Sequence, residues 1–321
     1  MARSASLPTL HLIGAPCDAG ASLRGACMGP EALRVAGLAE ALIGRGHPVV
    51  DRGNLQGPTP SLAPLDDSAD EPAEEHPEYR HLGAVTQWNR LVHEAVADVL
   101  SQPGQHLPVL LGGDHSLAVG SISAVAAHCR ARGKTLRVLW LDAHADFNTP
   151  ALSPSGNLHG MPLACLCGLG PRALTHLGGQ TPALDASCVR MLGLRSVDAG
   201  ERRLVHQHGL QAYDMRHIDE AGMRATLAEA LLGVDENTHL HLSLDVDFLD
   251  PQIAPGVATA VPGGPTYREA QLCMEMVADT GALASIDIVE LNPACDQRNE
   301  TALLVVDLVE SLFGKSTLVR S

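Results

Sequence analysis

The stretch Arg137-Val-Leu-Trp-Leu-Asp-Ala-His-Ala-Asp-Phe-Asn148 decides the fold of this chain. Its first half, Val138 to Leu141, is a short apolar run of the kind that fills a strand buried on both faces. The run leads directly into Asp142, His144 and Asp146, and this spacing points all three side chains the same way in an extended backbone. Packing alone does not explain three potential metal ligands there, so the stretch predicts a buried strand that ends in a metal site.

Two further apolar runs end in the same way. Leu240 to Leu244 leads into Asp245-Val-Asp247, and Pro108 to Leu111 leads into Gly112-Gly-Asp-His115. Ligands of open α/β sheets lie beyond the carboxyl ends of the strands, so these three strand ends predict one shared site. The candidate metal ligands are His115, Asp142, His144, Asp146, Asp245 and Asp247.

The rest of the chain alternates between strand and helix patterns, with about eight strands in all. Examples are a helical period over 30–43, another over 221–232, and an apolar strand over 283–289. This alternation predicts an α/β fold with a central parallel sheet and helices on both faces. Because no linker and no internal repeat divides the 321 residues, we expect one domain over 1–321.

Composition excludes several classes of function. The 22 Lys and Arg against 37 Asp and Glu give a net charge of −15, which argues against nucleic acid and anionic membranes as partners, because both need basic patches. We find no signal peptide and no apolar run of membrane-spanning length. The eight scattered cysteines are typical of buried thiols. These features favour a cytoplasmic enzyme.

The stretch 53–78 differs from the rest in being rich in Pro, Asp and Glu. Its carboxylates lack the spacing and the central glycine of an EF-hand loop. We therefore expect an acidic surface loop and no calcium site there.

The six candidate ligands form an oxygen-rich set that suits Mn²⁺ or Mg²⁺ better than Zn²⁺, and the imidazoles favour Mn²⁺. Six ligands are too many for one ion that also holds water, but they fit two ions that share carboxylates and activate a water molecule. Any single Asp could instead cap a turn, and any single His could lie in the core. The joint pattern favours a hydrolase site.

His239 and His241 share the strand face of Asp245. Because a strand rises about 3.3 Å per residue, His241 lies about 13 Å from Asp245 along the chain. That is too far for a ligand of the same ion, and we expect both histidines in the core or behind the ligands.

Four motifs are similar to the signature of the ureohydrolases, the family that includes arginases and agmatinases. They are Gly112-Gly-Asp-His-Ser116, Asp142-Ala-His-Ala-Asp146, His159-Gly-Met-Pro162 and Ser243-Leu-Asp-Val-Asp-Phe-Leu-Asp-Pro251. The resemblance runs from about Leu10 to Phe313. It is closest to bacterial arginases, since the segments 146–150 and 155–159 resemble the loop that holds the substrate α-carboxylate. The segment 195–201 likewise resembles the one that reaches the α-amino group.

This resemblance implies an arginase-like fold, a homo-oligomer (trimer or hexamer) and two Mn²⁺ ions per subunit. His115, Asp142, Asp146 and Asp245 would bind one ion, and Asp142, His144, Asp245 and Asp247 the other. Asp142, Asp245 and a hydroxide would bridge the ions, and L-arginine would be hydrolysed to L-ornithine and urea.

The resemblance also assigns the remaining site residues. His159 would shuttle protons, Glu290 would bind the guanidinium group with Thr259 nearby, and Asp146 would hydrogen-bond the hydroxide. The substrate-binding residues would be Asp198 at the α-amino group, Asn148 and Ser155 at the α-carboxylate, and Asn157 and Glu201 through water.

Three other functions stay open at this point. Agmatine or another guanidino compound could be the substrate, although agmatine has no carboxylate for Asn148 and Ser155 to bind. A non-catalytic metal-binding homologue is disfavoured because His159, Glu290 and all six ligands are present. A two-metal phosphoesterase would need a phosphate-binding loop, and no glycine-rich loop of that kind is evident.

Overall fold

A computed structural model describes residues 7–58, 79–153 and 155–318 of the chain. The acidic part of the predicted surface loop 53–78 falls on residues 59–78 and lies outside these ranges.

Eight strands form one sheet, as the alternating pattern predicts. They are β1 (Thr9–Ala15), β2 (Val49–Asn54), β3 (His106–Gly112), β4 (Thr135–Leu141), β5 (Val189–Leu194), β6 (Gln211–Asp214), β7 (Thr238–Asp245) and β8 (Leu283–Val289). Their order is β2-β1-β3-β8-β7-β4-β5-β6, and every neighbouring pair is parallel. The prediction of a single α/β domain with a parallel sheet is confirmed.

Helices cover both faces of this sheet. They are α1 (Gly29–Val35), α2 (Leu38–Gly44), α3 (Leu82–Ser101), α4 (Ala118–Arg132), α5 (Pro162–Leu166), α6 (Arg172–Thr175), α7 (Ala199–Gln207), α8 (Met215–Ala221), α9 (Met223–Ala230), α10 (Tyr267–Asp279) and α11 (Glu300–Leu312). Leu33, Leu227, Met274 and Val305 belong to the apolar core on one face. Val92, Ile122 and Leu163 belong to the core on the other.

Two predicted helices differ from the observed ones, and a glycine explains each difference. The helix predicted over 30–43 is two helices, α1 and α2, with Gly37 between them at φ 85°. The helix predicted over 221–232 is α9, which Gly222 at φ 82° separates from the unpredicted α8. A left-handed backbone ends a helix, and glycine adopts it without the steric penalty of a Cβ atom.

The order of the strands places the site. The chain passes from β3 to β4 across the sheet, and β8 and β7 later fill the gap between them. The carboxyl ends of these four central strands therefore lie side by side, at the switch point where ligands of such sheets bind. Among the described residues, no helix is long and apolar enough to cross a membrane.

Candidate metal centre

Four of the six predicted ligands meet around one imidazole nitrogen. His115 follows β3, Asp142 and Asp146 follow β4, and Asp245 ends β7. The Nδ1 atom of His115 lies 3.2 Å from a carboxylate oxygen of each of these three aspartates. Three strand ends thus bring an imidazole and three carboxylates to one point, which only the pairing of distant strands can do.

The remaining two ligands form a second group beside the first. The Nδ1 atom of His144 lies 3.0 Å from Asp247 Oδ2 and 3.5 Å from Asp142 Oδ1. Asp142 therefore faces His115 with one oxygen and His144 with the other, which is the geometry of a bridging carboxylate. Asp245 groups with His115 and Asp142, and bridging by Asp245 stays a prediction.

Neighbouring side chains fix the orientation of these ligands. His115 bonds Ser243 Oγ through Nε2 at 2.9 Å and stacks on the Trp140 ring at 4.0 Å. The Trp140 indole N–H donates to Asp142 Oδ2 at 2.9 Å, and the Thr259 hydroxyl donates to Asp247 Oδ2 at 2.9 Å. Such outer contacts set the tautomer and the direction of metal ligands.

The electrostatics of this cluster call for a cation. His115 Nδ1 is buried among the three carboxylates and has no hydrogen-bond partner. Burial and the nearby Asp142 raise the pKa of Asp146 to about 6. Burial, Asp247 and Asp142 raise the pKa of Asp245 well above its usual value. Negative charge is unfavourable here without a compensating positive charge, so the donor set fits divalent metal ions.

Two residues of the site adopt a left-handed backbone conformation, which is rare for residues other than glycine. Asp146 has φ 49° and Glu290 has φ 63°. A strained backbone of this kind persists only where contacts with the surrounding structure hold it in place. Such residues are concentrated at functional sites. The Glu290 N–H donates to the Gly113 carbonyl at 2.7 Å, which ties the end of β8 to the loop after β3.

His159 and Glu290 form a buried pair next to the metal ligands. The Nδ1 atom of His159 lies 3.0 Å from Glu290 Oε1, which also accepts the His115 backbone N–H at 2.9 Å. Burial favours the neutral imidazole, but Glu290 outweighs it and raises the pKa of His159 to about 9. The second oxygen of Glu290, Oε2, is buried and has no partner. The pair therefore offers a charged imidazole and a free carboxylate oxygen.

A cavity of about 140 Å³ opens over these groups. Its lining residues are His144, Asp146, Asn148, His159, Gly160, Ser196, Asp198, Glu201, Asp245 and Thr259. Eight of these ten were predicted from the sequence as site residues, while Gly160 and Ser196 were not. The predicted residues Ser155 and Asn157 are not part of this lining. The Asn157 backbone N–H donates to Ser155 Oγ at 3.3 Å, and the Ser22 hydroxyl donates to Asn157 Oδ1 at 3.0 Å.

The predicted residues at the far end of the cavity contact one another. Asn148 Nδ2 lies 3.5 Å from Asp198 Oδ2, and Asn148 Oδ1 is buried without a partner. Glu201 accepts the backbone N–H groups of Phe147 at 2.9 Å and of Asp198 at 3.3 Å. Both oxygens of Glu201 are thus engaged in holding the loop after β4 against the start of α7.

Sequence reasoning gave no role to Asp114 and Arg195, which also shape the site. Asp114 is fully buried and accepts the Gly20 N–H at 2.8 Å. Arg195 bonds several carbonyl groups behind Asp247. Asp114 stands inside the motif Gly112-Gly-Asp-His115, and this position next to a candidate ligand was the sequence feature that could have indicated its role.

His239 and His241 lie in the core, as expected, and belong to a buried chain of hydrogen bonds that we call the polar file. Its members are His239, His241, Ser285, Asp287 and Ser121. Ser285 Oγ bonds His239 at 2.9 Å and His241 at 2.8 Å, and Asp287 bonds His241 at 3.1 Å and Ser121 at 2.6 Å.

Fold and site together define an α/β protein with two groups of potential metal ligands at the carboxyl edge of a parallel sheet. The family model described as Arginase family matches residues 8–314. The chain therefore belongs to the arginase family.

Individual relatives agree with this assignment. The arginase of Brevibacillus brevis is 42% identical over 310 residues, which cover 96% of this chain and 99% of the relative. The solved arginase of Bacillus caldovelox has a TM-score of 0.88 and 39% identity, covering 97% of this chain and 100% of that one. The Entamoeba histolytica arginase, solved in complex with L-ornithine, has a TM-score of 0.82 and 29% identity, with coverage of 97% and 100%.

Proposed function

We propose that the chain hydrolyses L-arginine to L-ornithine and urea. Water adds its hydroxyl group to the guanidinium carbon, the C–N bond to the side-chain nitrogen breaks, and that nitrogen leaves as a protonated amine. The observation that carries the proposal is that one cavity is lined by candidate ligands from both groups, Asp245 and His144, and by His159, whose Nδ1 atom lies 3.0 Å from Glu290. Membership of the arginase family supports the same reaction.

The proposal assigns two Mn²⁺ ions to the centre. His115, Asp142, Asp146 and Asp245 would hold one ion, and Asp142, His144, Asp245 and Asp247 would hold the other. When bound, such ions would lower the pKa of water to about 7 and so supply a nucleophile at neutral pH. The unpartnered His115 Nδ1 and the bridging position of Asp142 support this assignment.

Three side chains would handle the guanidinium group and the protons. The free Oε2 atom of Glu290 can accept from a guanidinium N–H, and a planar guanidinium pairs well with a carboxylate. Asp146 would accept the proton of the attacking water. His159, whose pKa is about 9, is charged at neutral pH and would donate a proton to the leaving amine.

The far end of the cavity would hold the α-substituents of the amino acid. We assign Asp198 to the α-amino group, Asn148 and Ser155 to the α-carboxylate, and Asn157 and Glu201 to contacts through water. Thr259, which bonds Asp247, would lie near the guanidinium group. The positions of Asn148 and Asp198 in the cavity lining support this orientation, with the guanidinium at the metals.

We extend the proposal to the assembly and the compartment. A homo-oligomer, either a trimer or a hexamer, would form, and the enzyme would act in the cytoplasm. All eight cysteines are free thiols, which is typical of a reducing compartment.

The decisive experiment measures urea release by the Mn²⁺-loaded protein with L-arginine and agmatine side by side. We expect release from L-arginine and at least tenfold less from agmatine. The matched variant Asn148→Ala should raise the KM for L-arginine and leave agmatine turnover unchanged. Release from agmatine alone would contradict the assignment of Asn148 and Asp198, and release from neither substrate would contradict the proposed function.

A further inference from the structure

The residue that follows β5, Arg195, occupies an unusual position for a cation. Its guanidinium group is more than half buried and donates to five backbone carbonyl groups: Gly193 and Phe248 at 3.1 Å, Asp247 at 2.7 Å, Leu249 at 3.1 Å and Val261 at 2.9 Å. None of these partners is a carboxylate. All five N–H groups of the Arg195 guanidinium therefore donate to backbone carbonyl groups and hold these main-chain segments together.

Three of the five carbonyl groups belong to the turn that carries Asp247. This turn, Val246–Phe248, directly follows β7 and continues into Leu249. The Asp247 carbonyl is held by Arg195 at 2.7 Å, while the Asp247 side chain is held by the Ala143 N–H at 3.1 Å. The guanidinium group thus fixes the main chain from which this metal ligand projects.

The fifth carbonyl group connects Arg195 to the other contact of Asp247. Val261 lies two residues after Thr259, whose hydroxyl donates to Asp247 Oδ2 at 2.9 Å. His144, the imidazole of the second ligand group, lies 3.0 Å from the same Oδ2 atom. One guanidinium group therefore holds both the ligand Asp247 and the loop that orients its metal-facing oxygen.

Two glycines lie close to the groups that Arg195 contacts. A Cβ atom on Gly264 would lie 2.6 Å from Arg195 Nη2. Gly193, at φ 93°, packs against the Phe248 ring, where a Cβ atom would lie 2.5 Å from the ring. Two glycines thus permit the close approach on which the five hydrogen bonds depend.

A lysine could not replace this group. Its ammonium carries the same charge but has three donors that converge on one nitrogen, whereas the guanidinium presents five donors in a rigid plane. The Arg195→Lys variant therefore keeps the positive charge and removes the geometry. This separation makes the role of Arg195 testable.

We infer that Arg195 is a positioning residue for the second ligand group, Asp142, His144 and Asp247, and that it sets the affinity of that group for its metal ion. Among the described residues, Arg195 donates no hydrogen bond to His115, Asp146 or Asp245 of the first group. The inference rests on the proposed two-metal function, but its test measures metal binding and is independent of urea release.

The experiment titrates metal-free protein with Mn²⁺ and counts bound ions per subunit. Electron paramagnetic resonance then reports whether the two ions are coupled. For Arg195→Lys we expect one of the two binding steps to lose about 10- to 100-fold in affinity, because outer contacts of metal ligands have effects of this size. The other step should stay within about threefold of wild type, and the signal of the coupled pair should disappear at limiting Mn²⁺.

Arg190 supplies the matched control, because it is a buried arginine at the opposite end of the same strand. It also donates to backbone carbonyl groups, those of Ser187 at 2.7 Å and Val189 at 2.9 Å. Arg190→Lys should leave both binding steps unchanged. A second variant, Gly264→Ala, crowds both the guanidinium group of Arg195 and the Asp250 backbone N–H, and should reproduce the selective loss.

Two results would overturn the inference. One is wild-type affinity for both ions in Arg195→Lys. The other is an equal loss of both ions in the Arg195→Lys and Arg190→Lys variants, which would indicate general destabilisation of β5. Weakened binding of one ion alone in Arg195→Lys, with both ions retained in Arg190→Lys, supports the inference.

Discussion

His115 and His241 are buried imidazoles beside aspartates, yet their hydrogen bonding is opposite. His241 lies in the polar file, where Ser285 and Asp287 satisfy both of its ring nitrogens. His115 lies at the strand ends, where Nδ1 faces three carboxylates and has no hydrogen-bond partner. Residue type and burial are therefore the same in the two regions. The difference is that protein groups satisfy the hydrogen bonds of His241, while the carboxylates around His115 need a cation to balance their charge.

The largest effect should come from the bridging position. Asp142→Ala removes an oxygen from each ligand group, so we expect loss of both metal ions and a fall in turnover of about 10³-fold or more. Metal content by mass spectrometry and urea release measure the two effects, with the exposed Asp219→Ala as control. Turnover near that of wild type at equal metal loading would refute the bridging role.

The next effect concerns proton transfer alone. His159→Ala should lower kcat by about 10²- to 10⁴-fold, the usual size of a general acid contribution, while both ions stay bound. The exposed His206→Ala serves as control, and metal content is measured on the same samples. If His159→Ala lost metal, His159 would belong with the ligands and not with the proton donors.

In the polar file the expected result is reversed. Asp287→Ala leaves the buried His241 without its carboxylate partner, so we expect a loss of about 3 kcal/mol in the free energy of unfolding with metal stoichiometry unchanged. Asp287→Asn keeps an acceptor and should lose less. Urea denaturation and metal titration measure the two quantities. Loss of metal from a folded Asp287→Ala protein would erase the contrast between the regions.

The His159–Glu290 pair predicts a pH dependence in the metal-free protein. Because the folded pKa of His159 is raised to about 9, the stability it contributes is complete below its unfolded value near 6.5. That contribution is lost as the pH rises through about 9. Thermal unfolding between pH 6 and 10 should show the decline in wild type and a flatter profile in Glu290→Gln. Identical profiles would mean that the pair does not titrate in this range.

The smallest effect is expected at Ser285, which bonds two histidines through one hydroxyl. Ser285→Ala leaves a ring nitrogen of each histidine unpaired, which should lower the free energy of unfolding by about 1–2 kcal/mol. The exposed Ser101→Ala should have almost no effect in the same denaturation experiment. An unchanged stability of Ser285→Ala would show that water replaces the hydroxyl.

Sequence patterns predicted the strands and the candidate ligands that the structure brings together, because both follow from local order in the chain. The run Val138 to Leu141 shows its burial on both faces, and Asp142, His144 and Asp146 follow it at strand spacing. The left-handed backbone of Asp146 and Glu290 could not be predicted, since it is imposed by contacts such as that between Glu290 and Gly113. The carbonyl contacts of Arg195 were equally hidden, because backbone acceptors leave no residue type in the sequence.

Gly37 and Gly222 are a different case, because their signal was present. Each lies within or beside a stretch of helical period, where an isolated glycine is tolerated in many helices. Which glycine ends a helix depends on how the following turn packs against the sheet. Local propensity therefore predicted where the chain is helical but not that a glycine separates two helices at each of these places.

The order of the strands has a consequence for how the protein is made. In the described sheet, the groups β2-β1-β3 and β4-β5-β6 are joined through β7 and β8, the last two strands to be synthesised. His115 follows β3 of the first group, and His144 follows β4 of the second. Such pairings between distant parts of the chain form slowly. The two strands that join these histidines across the sheet are the last ones made, so the two ligand groups can be assembled only after β8 has been synthesised.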